Sequence, residues 1–144
     1  MNEIFIPVSP GELLDKITIL RIKAAQIGDP QKLANVRLQL DLLEGVWRNS
    51  GAADKVATEE QALQQVNGRL WDLENRIREK EAAQVFDAEF IALARAVYVH
   101  NDERAAIKAR IDTQLGSRIV EEKVYSGSGR AASPTKSSKI QHRP

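Results

Sequence analysis

The chain has 144 residues, enough for one domain with a real core, and its 42% apolar and 28% charged residues match a soluble globular or helical protein. It has no cysteine, which excludes disulfides, zinc–thiolate and iron–sulfur centres and thiol catalysis. No apolar run approaches the roughly 20 residues of a membrane span. The net charge of +1 is unevenly spread: residues 126–144 carry Arg130, Lys136, Lys139 and Arg143 and no acid, which leaves a mildly acidic body, unlike a dedicated nucleic-acid domain.

In chain order, Glu3 to Val8 alternates, with Ile4, Ile6 and Val8 on one side, and reads as a short strand. Met1-Asn2-Glu3-Ile4-Phe5 lacks the basic and apolar regions of a signal peptide, so a cytoplasmic location is expected. Ser9-Pro10-Gly11-Glu12 then opens the first helix. Ser9 suits the cap, Pro10 the first helical position, and Glu12 the return arm of a capping box. Leu13, Ile17, Leu20, Ala24 and Ile27 form its stripe and Gly28 ends it. Asp29-Pro30 opens a second helix, with Leu33, Val36, Leu40, Leu43 and Trp47 as its stripe and Asn49-Ser50-Gly51 as its end.

A third helix is expected from Asp54 or Thr58 to about Ala83, with a stripe of Leu63, Val66, Leu70, Leu73 and Ile77. A fourth is expected from a cap at Asp87 to about Leu115, closed by Gly116-Ser117. Residues 118–125 read as extended or helical and could pair with 3–8, although a lone two-stranded ribbon is marginal. The expected organisation is a helical domain over 1–125 and a disordered basic tail over 126–144, whose composition offers almost nothing to fold around. The expected fold is mainly all-α: an antiparallel four-helix bundle or two helical hairpins, with short terminal strands at 3–8 and 118–125.

The fourth helix carries the strongest lead to function. Phe90, Leu93 and Val97 keep helical spacing, but the same step lands on Asn101, Arg104 and Lys108 before returning to Ile111 and Leu115. Buried charge is costly unless paired, so an inward amide and two cations need partners. Lys16 on the first helix and Asn67 and Glu74 on the third flank the facing stripes. Together with Asn101, Arg104 and Lys108 they form a candidate site for an anion, with Arg104 supplying a forked donor and Lys108 a point charge. Two other arrangements account for the same residues. Glu74 could pair with Arg104 or Lys108 and fix helix register, or the helix could rotate to bury Ile91, Ala94, Tyr98 and Ala105 and leave the cations wet.

Other features favour structural roles. Glu12 with Lys16, Asp72 with Arg76 and Glu74 with Arg78 are four-residue helix pairs. Trp47 and Trp71 suit core anchors better than stacking platforms. His100 has no second histidine on its helix, and no repeated Glu and His ligands or phosphate loop occur, so no metal and no cofactor are expected.

Five blocks are distinctive in combination: Ser9 to Leu20 (SPGELLDKITIL), Val66 to Glu74 (VNGRLWDLE), Phe90 to Tyr98 (FIALARAVY), Asn101 to Ala105 (NDERA) and Gly116 to Lys123 (GSRIVEEK). Over roughly residues 3–125 the chain resembles a family of short, mostly helical bacterial proteins classed as a domain of unknown function. The resemblance implies no activity; it implies a link to surface-polysaccharide biosynthesis.

Two functions are consistent with these residues. The first is a non-catalytic helical scaffold or adaptor that self-associates as a homodimer through coiled-coil-like stripes and binds a larger protein partner. The alternative is a ligand-binding protein or small enzyme acting on an anionic metabolite, such as a sugar nucleotide or a carboxylate, through Lys16, Asn67, Glu74, Asn101, Arg104 and Lys108. The sparse charge of the tail argues against nucleic acid as a partner.

Overall fold

The computed structural model describes residues 2–126. Four helices follow one another: α1 (Pro10–Gln26), α2 (Pro30–Ser50), α3 (Ala57–Ala82) and α4 (Ala88–Gln114), with a 3-10 turn at Ala53–Lys55. The all-α expectation holds. The basic tail expected from residue 126 lies, apart from Ser126, outside the described residues.

Local chemistry sets the helix ends. Ser9 Oγ accepts the Glu12 amide at 3.2 Å, and Asp29 and Asp87 cap α2 and α4 in the same way through Lys32 N at 2.9 Å and Phe90 N at 3.0 Å. α2 ends on Gly51 in the left-handed region, at φ +66°. α3 and α4 both end in the crossed hydrogen bonds of a Schellman motif. Ser117 N donates to Asp112 O around Gly116, and Val85 N donates to Lys80 O around Gln84. Gln84 therefore holds φ +56°, a conformation in which glycine would be unstrained.

The helices form two hairpins, α1–α2 and α3–α4, joined through α1. α1 packs on α2, α3 and α4, and α3 packs along α4. The core gathers Leu14 and Ile17 of α1, Trp47 of α2, Val56, Leu63, Val66 and Leu70 at and along α3, and Ile107 and Ile111 of α4. Trp47 is thus the core anchor its position suggests.

α2 is peripheral. Its predicted stripe, Leu33, Val36, Leu40 and Leu43, is only half-buried against α1, and Trp47 is its one buried residue. Arg21 ties it down, reaching Glu44 of α2 at 3.0 Å and Glu60 of α3 at 2.9 Å. Burial alone would lower the Arg21 pKa, but the hydrogen bonds it donates to Glu60 and Glu44 outweigh burial and hold the pKa above its ordinary value.

The terminal strands do not form. Among the described residues there is no strand: 2–9 and 118–125 run without regular structure and are not paired with each other. Ile4 and Phe5 stand 78% and 88% exposed. Alternation shows that a segment could line a sheet, but a ladder also needs an adjacent edge; residues 3–8 stay exposed, and the later segment turns back to α4, where Glu121 meets Lys108.

Candidate functional site

α4 turns its polar stripe inward. Leu93, Ile107, Lys108 and Ile111 are buried, Asn101 and Arg104 half-buried, and Ile91, Ala94 and Tyr98 exposed. The rotated alternative is therefore not adopted. Ile107, adjacent to the predicted stripe, is a core residue that the spacing missed.

Close approach of two backbones makes the site. A Cβ on Gly11 would lie 2.6 Å from the Lys108 carbonyl oxygen and 2.9 Å from Asp112 Oδ1, so only glycine lets α1 enter this close to α4. The Gly11 amide then donates to Asp112 Oδ1 at 2.7 Å, using the carboxylate of one helix to cap the first turn of another.

This approach brings Glu12 to Lys108. The capping box is only half made: Ser9 caps, while the Glu12 carboxylate accepts from Lys108 Nζ at 2.6 Å. Lys108 Nζ also lies 2.9 Å from Glu121 and 4.0 Å from Asp15. Burial alone would push the Lys108 ammonium pKa down, but hydrogen bonds to Glu12 and Glu121 raise it overall. The hydrogen bond from Lys108 likewise holds the Glu12 carboxyl below its ordinary range, against a smaller upward push from burial. Lys108 is thereby kept charged, an electrostatic fixture rather than a proton acceptor.

A second chain of contacts leads from the core to Arg104. Thr18 Oγ1 donates to the Asp15 carbonyl at 2.9 Å. The buried Asn67 amide donates to both Asp15 Oδ1 and Thr18 Oγ1 at 2.9 Å. With its nitrogen so committed, Asn67 presents Oδ1 to Arg104 Nη1 at 3.4 Å. No carboxylate among the described residues lies within ion-pair distance of Arg104.

Arg104 and Asn101 stand where two clefts meet. One is a small polar pocket of about 160 Å³ shared with Lys108, Lys123 and Tyr125. The other is a groove of about 480 Å³ between α1, α3 and α4, lined also by Asn67, Ile22, Leu70, Trp71 and Glu74. An amide, a guanidinium and the Lys123 ammonium can hold an anion, whereas Lys108 is already paired with Glu12 and Glu121. The guanidinium supplies the planar fork, and Lys123 adds point charge.

Four of the six predicted site residues, Asn67, Asn101, Arg104 and Lys108, are thus brought together. Glu74 does not cross to Arg104 or Lys108. It lines the groove and sits 4.0 Å from Arg78, the predicted helix pair. Lys16 stays half-exposed and pairs with Glu12 at 3.5 Å, also as predicted. Arg76 leaves its expected partner Asp72 and reaches Glu89 on α4 at 2.8 Å.

Sequence reasoning missed Asp15, Thr18, Glu121 and Lys123. Asp15 and Thr18 step by three beside Leu14 and Ile17, a signal that was available. Glu121 and Lys123 lie in a segment read as extended or helical, and nothing local announces their return to α4.

No curated protein and no solved structure matches this chain. A family profile does match, over residues 4–141, which is most of the sequence. The chain belongs to that family, described as the family of unknown function DUF6165.

Proposed function

We propose that this protein binds a small anionic ligand between α1, α3 and α4, with Arg104 as the principal anion-binding group. One observation carries the reading. A satisfied buried polar chain, Thr18–Asp15–Asn67, ends on a half-buried guanidinium that has no acid partner among the described residues and opens into two clefts. Buried polar networks are expensive to build, and this one orients a cation instead of neutralising it. Asn101 and Lys123 complete the donor set, while Lys108 is already compensated by Glu12 and Glu121 and serves to hold α1 against α4.

Calorimetric titration with inorganic phosphate and with succinate tests the reading. The wild-type chain is expected to bind at least one of them, and Arg104→Met to weaken that binding by at least tenfold, as loss of charge-assisted hydrogen bonds requires. Arg69→Met, at an exposed pair with Glu103, should bind as wild type. Absence of binding by the wild-type chain, or equal binding by Arg104→Met, contradicts the reading.

A second reading, self-association as a scaffold, is favoured by a separate feature. Leu38, Leu42 and Val46 repeat every four residues along α2 and are 64%, 50% and 57% exposed. Such a stripe suits the α2 of a second copy. Sedimentation equilibrium at tens of micromolar should show a dimer that Leu42→Glu converts to monomer; a monomeric wild-type chain removes this reading.

A further inference from the structure

We infer that the ligand is a nucleoside phosphate, with its phosphate in the polar pocket at Arg104 and its base against Trp71 in the adjoining groove. The inference rests on the anion-binding reading above and adds the chemistry of the remainder of the ligand.

The two clefts share Asn101 and Arg104, so a single molecule can occupy both. Their chemistry differs. The pocket is lined by an amide, three cations and Tyr125, whereas the groove is walled by Ile19, Ile22, Leu70 and Trp71. A ligand that fills both has a compact anionic group at one end and a flat or apolar body at the other. The groove, at about 480 Å³, is of the size that small-molecule sites occupy.

The two tryptophans divide the roles. Trp47 is buried in the core, while Trp71 is half-buried and keeps part of its ring in the groove wall. Trp71 follows Asn67 by four residues, so the ring and the amide that orients Arg104 lie on one face of α3. An aromatic wall beside a guanidinium suits a base, because stacking accepts any planar ring and a cation draws the attached phosphate. Glu74 and Asn75 at the same groove offer an acceptor and a donor for the exocyclic groups of a base or for ribose hydroxyls. A dicarboxylate or a sugar phosphate would leave this apolar wall unused.

The test compares AMP, ribose-5-phosphate, adenosine and inorganic phosphate by calorimetry on the full wild-type chain, with tryptophan fluorescence recorded in parallel. AMP is expected to bind about tenfold or more tighter than ribose-5-phosphate, the usual gain from stacking one base, and to quench fluorescence saturably. Adenosine, lacking the anion, should bind more weakly than AMP by a similar factor. Trp71→Leu keeps an apolar side chain at a half-buried position, and should bring AMP down to the affinity of ribose-5-phosphate while leaving the latter unchanged.

Equal binding of AMP and ribose-5-phosphate by the wild-type chain, with unquenched fluorescence, overturns the inference and leaves the anion site standing. Binding of none of the four overturns both. The ligand comparison needs no variant, so a misfolded Trp71→Leu would not spare the inference.

Discussion

Lys108→Met should lower the thermal unfolding midpoint by roughly 10 °C, from a loss of about 3 kcal/mol. Methionine fills nearly the same space, so the effect is electrostatic. Removing the ammonium takes the nearest cation from the buried Asp15 and leaves Glu12 only its half-exposed pair with Lys16. Glu121, more exposed, contributes less. Adding Glu12→Gln to Lys108→Met should recover part of the loss, since the two residues act as a unit and their effects should not add. The pair also sets the acid limit of stability. Glu12 is held below its ordinary carboxyl range when folded, so its contribution is present in full above that range and is lost as pH falls through it. Lys108, held above its ordinary ammonium range, gives a contribution that is full below that range and lost as pH rises through its folded value. Melts of wild type and Lys108→Met at neutral and acidic pH should therefore converge on acidification. A Lys108→Met chain as stable as wild type at neutral pH would contradict the description of this ion cluster.

Gly11→Ala should cost about 2 kcal/mol, although alanine is the better helix former. The added methyl meets the Lys108 carbonyl at 2.6 Å, and a backbone atom cannot swing aside as a side-chain tip would. α1 must withdraw from α4, which lengthens the Gly11–Asp112 hydrogen bond at 2.7 Å and draws Glu12 from Lys108. Gly68→Ala provides the matched contrast. It lies inside α3 with nothing within 4 Å of the new methyl, so it should gain up to about 1 kcal/mol from helix propensity alone. Urea unfolding midpoints of the two variants should move in opposite directions at unchanged slope. Movement in the same direction would mean that the close approach at Gly11 is not what constrains that position.

These two residues illustrate what a sequence can reveal. Helix starts at Ser9, Asp29 and Asp87 were legible because a cap and its first turn lie within four residues. The inward polar stripe at Asn101, Arg104 and Lys108 was legible because helical periodicity fixes which residues share a face. Periodicity does not tell how many neighbours a face meets. The stripe of α2 is as regular as those of α3 and α4, yet only α1 covers it, and it stays half-exposed.

Partner choice was also out of reach. Glu12 satisfied a local pattern, the capping box, and a distant one, Lys108, and the charged partner won because a buried ammonium has more to lose without it than a neutral amide at a helix start. Gly11 read as part of a helix start; its role lies in a second helix about a hundred residues away. Residues 3–8 had the period of a strand, and 118–125 permitted one, but neither has an adjacent edge to pair with.

In the proposed binding site, α1 and α3 orient Arg104 toward a ligand anion. The direct measurement is the side-chain Nε–Hε resonance of Arg104, assigned by its loss in Arg104→Met, during titration with inorganic phosphate. This resonance is expected to shift saturably, together with the side-chain amides of Asn101 and Asn67, while the resonances of Arg69 and of Arg37 on α2 stay in place. Uniform, unsaturated drift of all the arginine resonances, or no movement at Arg104, would contradict it.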